Sequence, residues 1–332
     1  MNWQDRPVLV TGAGGFIGSH LVDELLRREA DVTAFVHYNA RNDWGMLEGR
    51  YKDSTPHLKV IAGDVTDALF VKKAVSGKEV VFHLAALIGI PYSYVAPESY
   101  VNTNIKGTLN LMQASLDEQV SRIVHTSTSE TYGNPAVVPT PESYYGYVNS
   151  IGIRGCYDES KRCGEAYVMA YRKQYGMDVR IARIFNTYGP RIRPDGIYGR
   201  AIPRFISQAL RNEPITVFGS GVQTRSFCYT TDQVVGLLQL ASSHKASGEV
   251  INIGNDKETT IIELAEIVKK LTGSVSKIEF HPLPQDDPAK RCPDLTKAKK
   301  ILGWQPKVKL EDGLRKTIKW LSEAGVSVPE KK

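Results

Sequence analysis

Along the first 190 residues, short apolar runs alternate with longer stretches whose apolar positions recur at helical spacing. The run Pro7-Val8-Leu9-Val10 passes through glycines into a segment with apolar residues at Ile17, Leu21 and Leu25, which predicts a strand followed by an amphipathic helix. Further buried-strand candidates are DVTAFV (31–36), HLKVIAGDV (57–65), VVFHLAA (80–86), RIVHTSTS (122–129) and VRIARIFN (179–186). Repeated βα units of this kind predict an α/β fold, a Rossmann-like doubly wound parallel sheet. After NTYGPR (186–191) the rhythm breaks into loops. GEVINIGN (248–255) then returns as an apolar strand, and TIIELAEIVKKLTG (260–273) reads as a helix with apolar residues at 261, 262, 264, 265 and 268. The expected organisation is a dinucleotide-type domain over 1–190 plus the returning strand at about 248–254, with a smaller mixed α/β substrate-binding lobe from 191–247 and 255–325.

Composition narrows the function classes. With 332 residues, 42% of them hydrophobic and 23% charged, the chain has the make-up of a globular protein large enough for one big domain or two lobes. The richest apolar run, Val80 to Ile90, is interrupted by His83 and falls short of the roughly 18 residues of a membrane span. No signal-peptide pattern precedes the first strand, and Cys156, Cys163, Cys228 and Cys292 form neither a CxxC pair nor a His-flanked cluster. A cytoplasmic setting without a metal site is expected. The net charge of +6 is spread along the chain, without the basic stripe and interleaved aromatics of a nucleic-acid binder, and suits a small anionic ligand.

Chemistry enters at Gly12-x-x-Gly15-x-x-Gly18, with Gly14 also present, between the first strand and its helix. Glycines there permit a tight turn and close backbone approach to a pyrophosphate, while the helix N-terminus at Phe16 and Ile17 attracts phosphate charge. Asp64, with Val65 beside it at the end of the third strand, is placed for the adenine or its ribose, although a turn aspartate occurs at the same position. The acid that usually ends the second strand of such folds is missing: AFVHYNARND has Val36 and His37 there and no acid until Asp43. His37 and Arg41 are candidates for a 2′-phosphate, which leaves NAD and NADP both open.

The fifth strand ends in HTSTSETYG (125–133), and strand C-terminal ends in these sheets face the ligand crevice. Thr128, Ser129 and Glu130 thus bring two hydroxyls and a carboxylate to one place. Tyr157 and Lys161 stand four apart on a helix running to about Gln174, on one face and one turn apart. An ammonium beside a phenol lowers the phenol pKa and makes it a general base. The spacing alone fits equally a surface tyrosine beside a solvated lysine.

Taken together, STSETYG, YVNSIGIRGCYDESKR, VRIARIFNTYGPR, VFGSGVQTRSFCYTTD and DDPAKRCPDLTKAKKILGWQP resemble the UDP-glucuronate decarboxylase (UDP-xylose synthase) branch of the extended short-chain dehydrogenase/reductases, the NAD-dependent epimerase/dehydratase family, over about residues 6 to 320. The resemblance implies that Tyr157 takes the proton of the sugar C4 hydroxyl with help from Thr128, while Lys161 lowers its pKa and holds the nicotinamide ribose. It implies Glu130 near C5, Arg291 at the sugar carboxylate, Arg191 and Arg225 at the substrate phosphates, and Asn186 in contact with substrate. It also implies NAD as cofactor, a UDP-linked sugar as substrate, and a homodimer formed by helices at about Glu98 to Glu118 and Tyr157 to Gln174. One segment departs: HLAALIGIPYSYVAPESYVNTNIKGT (83–108) looks more like the nucleotide-sugar 4,6-dehydratases. A 4,6-dehydratase or a 4-epimerase therefore stands as the alternative, and a non-enzymatic dinucleotide sensor behind both. Glu130 does not discriminate among the enzymes; Arg291 and CYDESKR do.

Overall fold

The computed structural model describes residues 1–52, 54–194 and 200–324; positions 195–199 and 325 of the expected lobe lie outside the described residues. In chain order the strands are β1 Pro7–Thr11, β2 Asp31–His37, β3 Leu58–Gly63, β4 Val80–His83, β5 Arg122–Thr128, β6 Val179–Ile184, β7 Thr187–Tyr188, β8 Ile215–Phe218, β9 Thr224–Ser226, β10 Cys228–Tyr229, β11 Val250–Ile253, β12 Glu258–Thr260, β13 Ile278–His281 and β14 Lys290–Arg291. The α-helices are α1 Phe16–Arg27, α2 Ala68–Val75, α3 Ile90–Val95, α4 Pro97–Tyr100, α5 Gly107–Asp117, α6 Gly155–Tyr175, α7 Ala201–Leu210, α8 Thr230–Ser242, α9 Ile261–Thr272, α10 Thr296–Leu302 and α11 Leu310–Glu323.

Seven strands form one all-parallel sheet in the order β11-β6-β5-β4-β1-β2-β3, so every apolar run named above is a sheet strand. Val8 and Val10 of β1 point into one apolar layer with Leu21, Val22 and Leu25 of α1 and Val234, Leu237 and Leu238 of α8. Leu9 points into the opposite layer with Val71 and Val75 of α2, Leu111 and Met112 of α5 and Val168 of α6. This alternation along a strand buried on both faces makes the central strands near-continuously apolar. Each large aliphatic side chain so buried contributes about 1.5–3 kcal/mol. Helix α8 falls in the range that sequence assigns to the lobe, yet it packs beside α1 over β5 and β6.

The lobe has its own apolar cluster, in which Phe205 and Ile206 of α7, Leu264 and Val268 of α9 and Leu314 of α11 surround Tyr188 and Tyr229. Short strands tie it together: β9 lies between β12 and β14, and β8 pairs with β13. Helix α9 opens on a capping box, in which Thr260 and Glu263 each accept from the other's backbone amide. Between α4 and α5 the chain forms a π-helical stretch, Val101–Lys106, instead of one uninterrupted helix. Among the described residues, no helix is long and apolar enough to cross a membrane and no cluster of side chains could hold a metal ion.

Candidate active site

In the strand order, β1 lies between β4 and β2, and the crevice of a doubly wound sheet opens at that switch point, beyond the strand C-termini. The glycine turn sits there. Gly12 has a left-handed backbone (φ 70) and passes so close to the chain after β4 that a Cβ would lie 2.8 Å from the Ala85 nitrogen. At Gly18 a Cβ would lie 2.1 Å from the Gly12 carbonyl oxygen, so only glycine lets α1 start against the turn. Gly15 is the N-cap of α1 and offers no side-chain acceptor to the first-turn amides of Phe16 and Ile17. An open helix N-terminus behind a glycine cradle fits the pyrophosphate of a dinucleotide.

Around the cradle the polar groups are closed into pairs. The Asp64 carboxylate accepts the Thr66 amide at 2.8 Å, and the carbonyls of Val65 and Thr66 each accept from the Asn110 side chain at 3.0 Å, which fixes the loop after β3. His37 is exposed at the end of β2, with Nε2 3.6 Å from an Asp64 oxygen. On the floor, the Thr108 hydroxyl donates to the Asn104 carbonyl and so accepts from His83 Nε2–H; His83 Nδ1 in turn accepts from Thr11. This assigns a neutral imidazole, and burial holds its pKa down to about 3. Asn104, in the π-helical stretch, accepts the Leu87 amide at 2.8 Å and donates to the Leu87 carbonyl and to Ser160, which pins the loop after β4 onto α6.

Helix α6 carries the tyrosine and the lysine and stops at Gly176 in the left-handed region. Tyr157 is buried edge-on to Tyr100, with ring centroids 6.3 Å apart. Lys161 Nζ donates to the Thr126 carbonyl at 2.9 Å, and burial lowers its pKa to about 8, with Glu165 opposing. Thr128 caps a 3-10 turn, Ser129–Tyr132: its oxygen accepts the Glu130 amide at 3.2 Å, which leaves its O–H to donate to the Tyr157 oxygen. Ser129 is buried beside it. The phenol pKa differs from the sequence expectation. Burial, then the Glu130 charge, push it above its ordinary value, and the Thr128 hydrogen bond opposes them only in part. The Lys161 ammonium is engaged by a backbone carbonyl, while burial and Glu130 are the largest influences on the phenol.

Glu130 lies in a cluster of charges. Its carboxylate is held end-on by the Arg291 fork, with Nη1 on Oε1 and Nη2 2.8 Å from Oε2, and Arg154 Nη2 is 2.5 Å from Oε2. Burial alone would raise its pKa; Arg291 and then Arg154 more than offset that and hold it well below the usual carboxylate range. Arg154 also lies 3.7 Å from Asp287, whose other oxygen takes Arg225 Nη2 at 2.7 Å. Asp158, next to Tyr157 and buried, has an oxygen without a hydrogen-bond partner; burial and the Glu130 charge raise its pKa to about 7.

The resemblance groups Arg191 with Arg225 at the diphosphate; in the structure they pair with different carboxylates, Asp23 and Asp287. Arg191, in left-handed backbone (φ 68), pairs with Asp23 on α1, whose second oxygen accepts from Tyr51 at 2.5 Å. Asn186 donates to the Ser226 carbonyl at 3.0 Å, between β6 and β9.

Beyond the glycine cradle at the switch point and the Thr/Tyr/Lys group on β5 and α6, the chain as a whole is similar to known proteins. The sequence matches the GDP-mannose 4,6 dehydratase family over residues 9–317. The chain belongs to the NAD-dependent epimerase/dehydratase family. Its relatives include UDP-glucuronic acid decarboxylase 6 of Arabidopsis thaliana, 45% identical over 310 residues, covering 92% of this chain and 86% of that protein. UDP-glucuronic acid decarboxylase 1 of Danio rerio is 42% identical over 323 residues, 96% of this chain and 73% of that one. Among solved structures, UDP-glucuronic acid 4-epimerase from Bacillus cereus, in complex with UDP-glucuronic acid and NAD, has a TM-score of 0.86 at 31% identity, with 96% of this chain and 99% of that chain covered. A dTDP-glucose 4,6-dehydratase from Streptomyces venezuelae with NAD bound has a TM-score of 0.84 at 30% identity, with 95% and 97% covered.

In this epimerase/dehydratase family member, three residues that sequence did not single out belong to the charged cluster: Arg154, Asp158 and Asp287. Arg154 had a usable signal, since it lies three residues before Tyr157 and seven before Lys161, on their face of α6. Asp287 had none; its partners Arg154 and Arg225 are far away in the chain.

Proposed function

We propose that this chain decarboxylates UDP-glucuronate to UDP-xylose through a 4-keto sugar, with NAD as its cofactor. The observation that carries the reading is Arg291: a buried guanidinium fork beside Glu130, in the cluster that adjoins Tyr157 and Thr128, of the kind that can grip a substrate carboxylate. Identity to the decarboxylases, at 42–45%, also exceeds the 30–31% to the epimerase and dehydratase structures. NAD is favoured over NADP because the Asp64 carboxylate faces His37, so the end of β2 offers a 2′-phosphate an opposing negative charge.

Gly12, Gly15, Phe16, Ile17 and Gly18 would hold the pyrophosphate, Asp64 and Val65 the adenosine end, and Lys161 the nicotinamide ribose. NAD would supply, in its oxidised form, a hydride acceptor for sugar C4 and a positive charge of the sign that lowers the Tyr157 phenol, and, once reduced, the hydride that returns to C4. Tyr157 takes the proton of the C4 hydroxyl while the Thr128 O–H steadies the oxygen. With a ketone at C4 the substrate is a β-keto acid: the C5–C6 bond breaks, CO2 leaves, and the electron pair becomes an enolate whose C4 oxygen is held by Tyr157 and Thr128. Ser129 and Glu130 border C5, where a proton is then added, and restoring C4–H and its hydroxyl gives the pentose without net redox change. Arg225, with Asn186 beside it, would take the diphosphate in place of Asp287. Arg191, committed to Asp23, has a lesser share.

We further place the protein in the cytoplasm as a homodimer, formed through the segment 98–118 and α6, where Val101 and Tyr167 are exposed. Incubation with UDP-glucuronate tests the function: CO2 and UDP-xylose are expected by mass spectrometry. Arg291→Ala should abolish most of the release and Arg291→Lys restore little. Loss of water from a neutral nucleotide hexose, or an isomer of unchanged mass, would replace the reading with a dehydratase or an epimerase.

A further inference from the structure

Glu130 has one more cation than it needs. Neutralising its charge takes one guanidinium, and the structure gives it two, from different parts of the molecule. Arg291 comes from β14 in the lobe, and Arg154 from the residue that opens α6. Their bonding differs as well. Arg291 meets the carboxylate with both terminal nitrogens, and its buried Nε has no hydrogen-bond partner. Arg154 puts only Nη2 on Oε2 and is braced from behind by Asp287.

A guanidinium edge that holds one carboxylate end-on through Nη1 and Nη2 cannot hold a second through the same pair of nitrogens. If Arg291 turns that edge to the sugar carboxylate, it releases Glu130 and keeps at most its Nε side for other acceptors. Without another cation, Glu130 would share a buried site with the substrate anion and with Asp158, and would take up a proton. We propose that Arg154 is the positioning residue that keeps Glu130 ionised and in register with Tyr157 while Arg291 is given over to the carboxylate of the substrate. The assignment rests on the decarboxylase reading. It accounts for the place of Arg154 at the N-cap of the helix that carries Tyr157 and Lys161, whereas Arg291 comes from β14 in the lobe.

The charged and titratable groups facing Glu130 are Arg154, Tyr157 and Asp158 from α6 and Arg291 from β14, with Asp287 and Arg225 behind them. Of these, only the two arginines adjoining the carboxylate favour its charged form by direct contact.

The test is the pH dependence of kcat and KM for UDP-glucuronate in wild type, Arg154→Gln and Arg154→Lys. In Arg154→Gln, kcat at neutral pH should fall by roughly 10- to 100-fold, KM should change little, and the acidic limb of kcat should move up by about one pH unit or more. Arg154→Lys keeps the charge and should keep the limb near its wild-type position. In a Glu130→Gln background there is no carboxylate to hold, so adding Arg154→Gln should lower kcat by less than about twofold. This double variant also serves if Arg154→Gln alone does not fold. A pH-independent loss, a loss confined to KM, a lysine variant that behaves like glutamine, or additive losses in the double variant would each overturn the proposal. Wild-type protein that releases no CO2 from UDP-glucuronate would instead remove the reading on which it rests.

Discussion

The two sides of the crevice are built in opposite ways. The dinucleotide side is made of backbone: a glycine turn, an uncapped helix start and a fixed loop after β3, supplied by stretches contiguous in sequence. The side proposed for the sugar is made of charged side chains from positions 130, 154, 158, 225, 287 and 291, brought together only by the fold. There, three guanidiniums meet two carboxylates in ion pairs, leaving room for an anionic ligand. A backbone cradle binds what many relatives bind, whereas a side-chain cluster can be retuned one residue at a time. The site's chemistry therefore has to be read from the cluster.

The largest expected effect is on the sugar side. Tyr157→Phe keeps the packing on Tyr100 but removes the hydroxyl that Thr128 faces; kcat should fall by roughly 10²–10⁴-fold with NAD content and Tm nearly unchanged. Steady-state kinetics on folded variant would show otherwise if turnover stayed near wild type.

On the dinucleotide side a single methyl group is the sharper probe. In Gly18→Ala the new Cβ would meet the Gly12 carbonyl at 2.1 Å, so strand and helix must separate. Overpacking of this kind costs about 1–3 kcal/mol, which should weaken NAD binding by roughly tenfold or more and lower Tm. Calorimetric titration with NAD checks this, and wild-type affinity would mean that the turn does not hold the pyrophosphate.

The smallest effect concerns Asp158. Its pKa in the fold is about 7 against an ordinary value of 3.8, so the native state binds its proton more tightly than the unfolded chain. For a carboxyl raised in this way, stability is greatest where both states are protonated and declines as pH rises through about 7. Asp158→Asn cannot lose a proton, so its Tm should gain on wild type by a few °C between pH 5 and pH 8. A Tm difference that stays constant across that range would show that Asp158 is ionised in the fold.

What could be read in the sequence follows the same division. The strands were legible because parallel strands buried on both faces are continuous apolar runs, and the cradle because its glycines sit at fixed spacing between strand and helix. Tyr157 and Lys161 were legible from helical geometry, but their electrostatics were not: burial and Glu130 dominate the phenol, and the ammonium is engaged by Thr126. Arg191 is placed at the phosphates by the resemblance alone, and its pairing with Asp23, remote in the chain, was not legible. Asp287 and Asp158 stayed hidden for the same reason, since ion pairs and burial are consequences of tertiary structure.

Turnover of UDP-glucuronate in deuterium oxide, read by mass spectrometry and proton NMR, tests most directly whether the charged cluster runs a decarboxylation. The expected product is UDP-xylose with one solvent deuterium at C5 and none at C4, formed together with CO2. A product that keeps its carboxylate, or that carries no deuterium at C5, would contradict it.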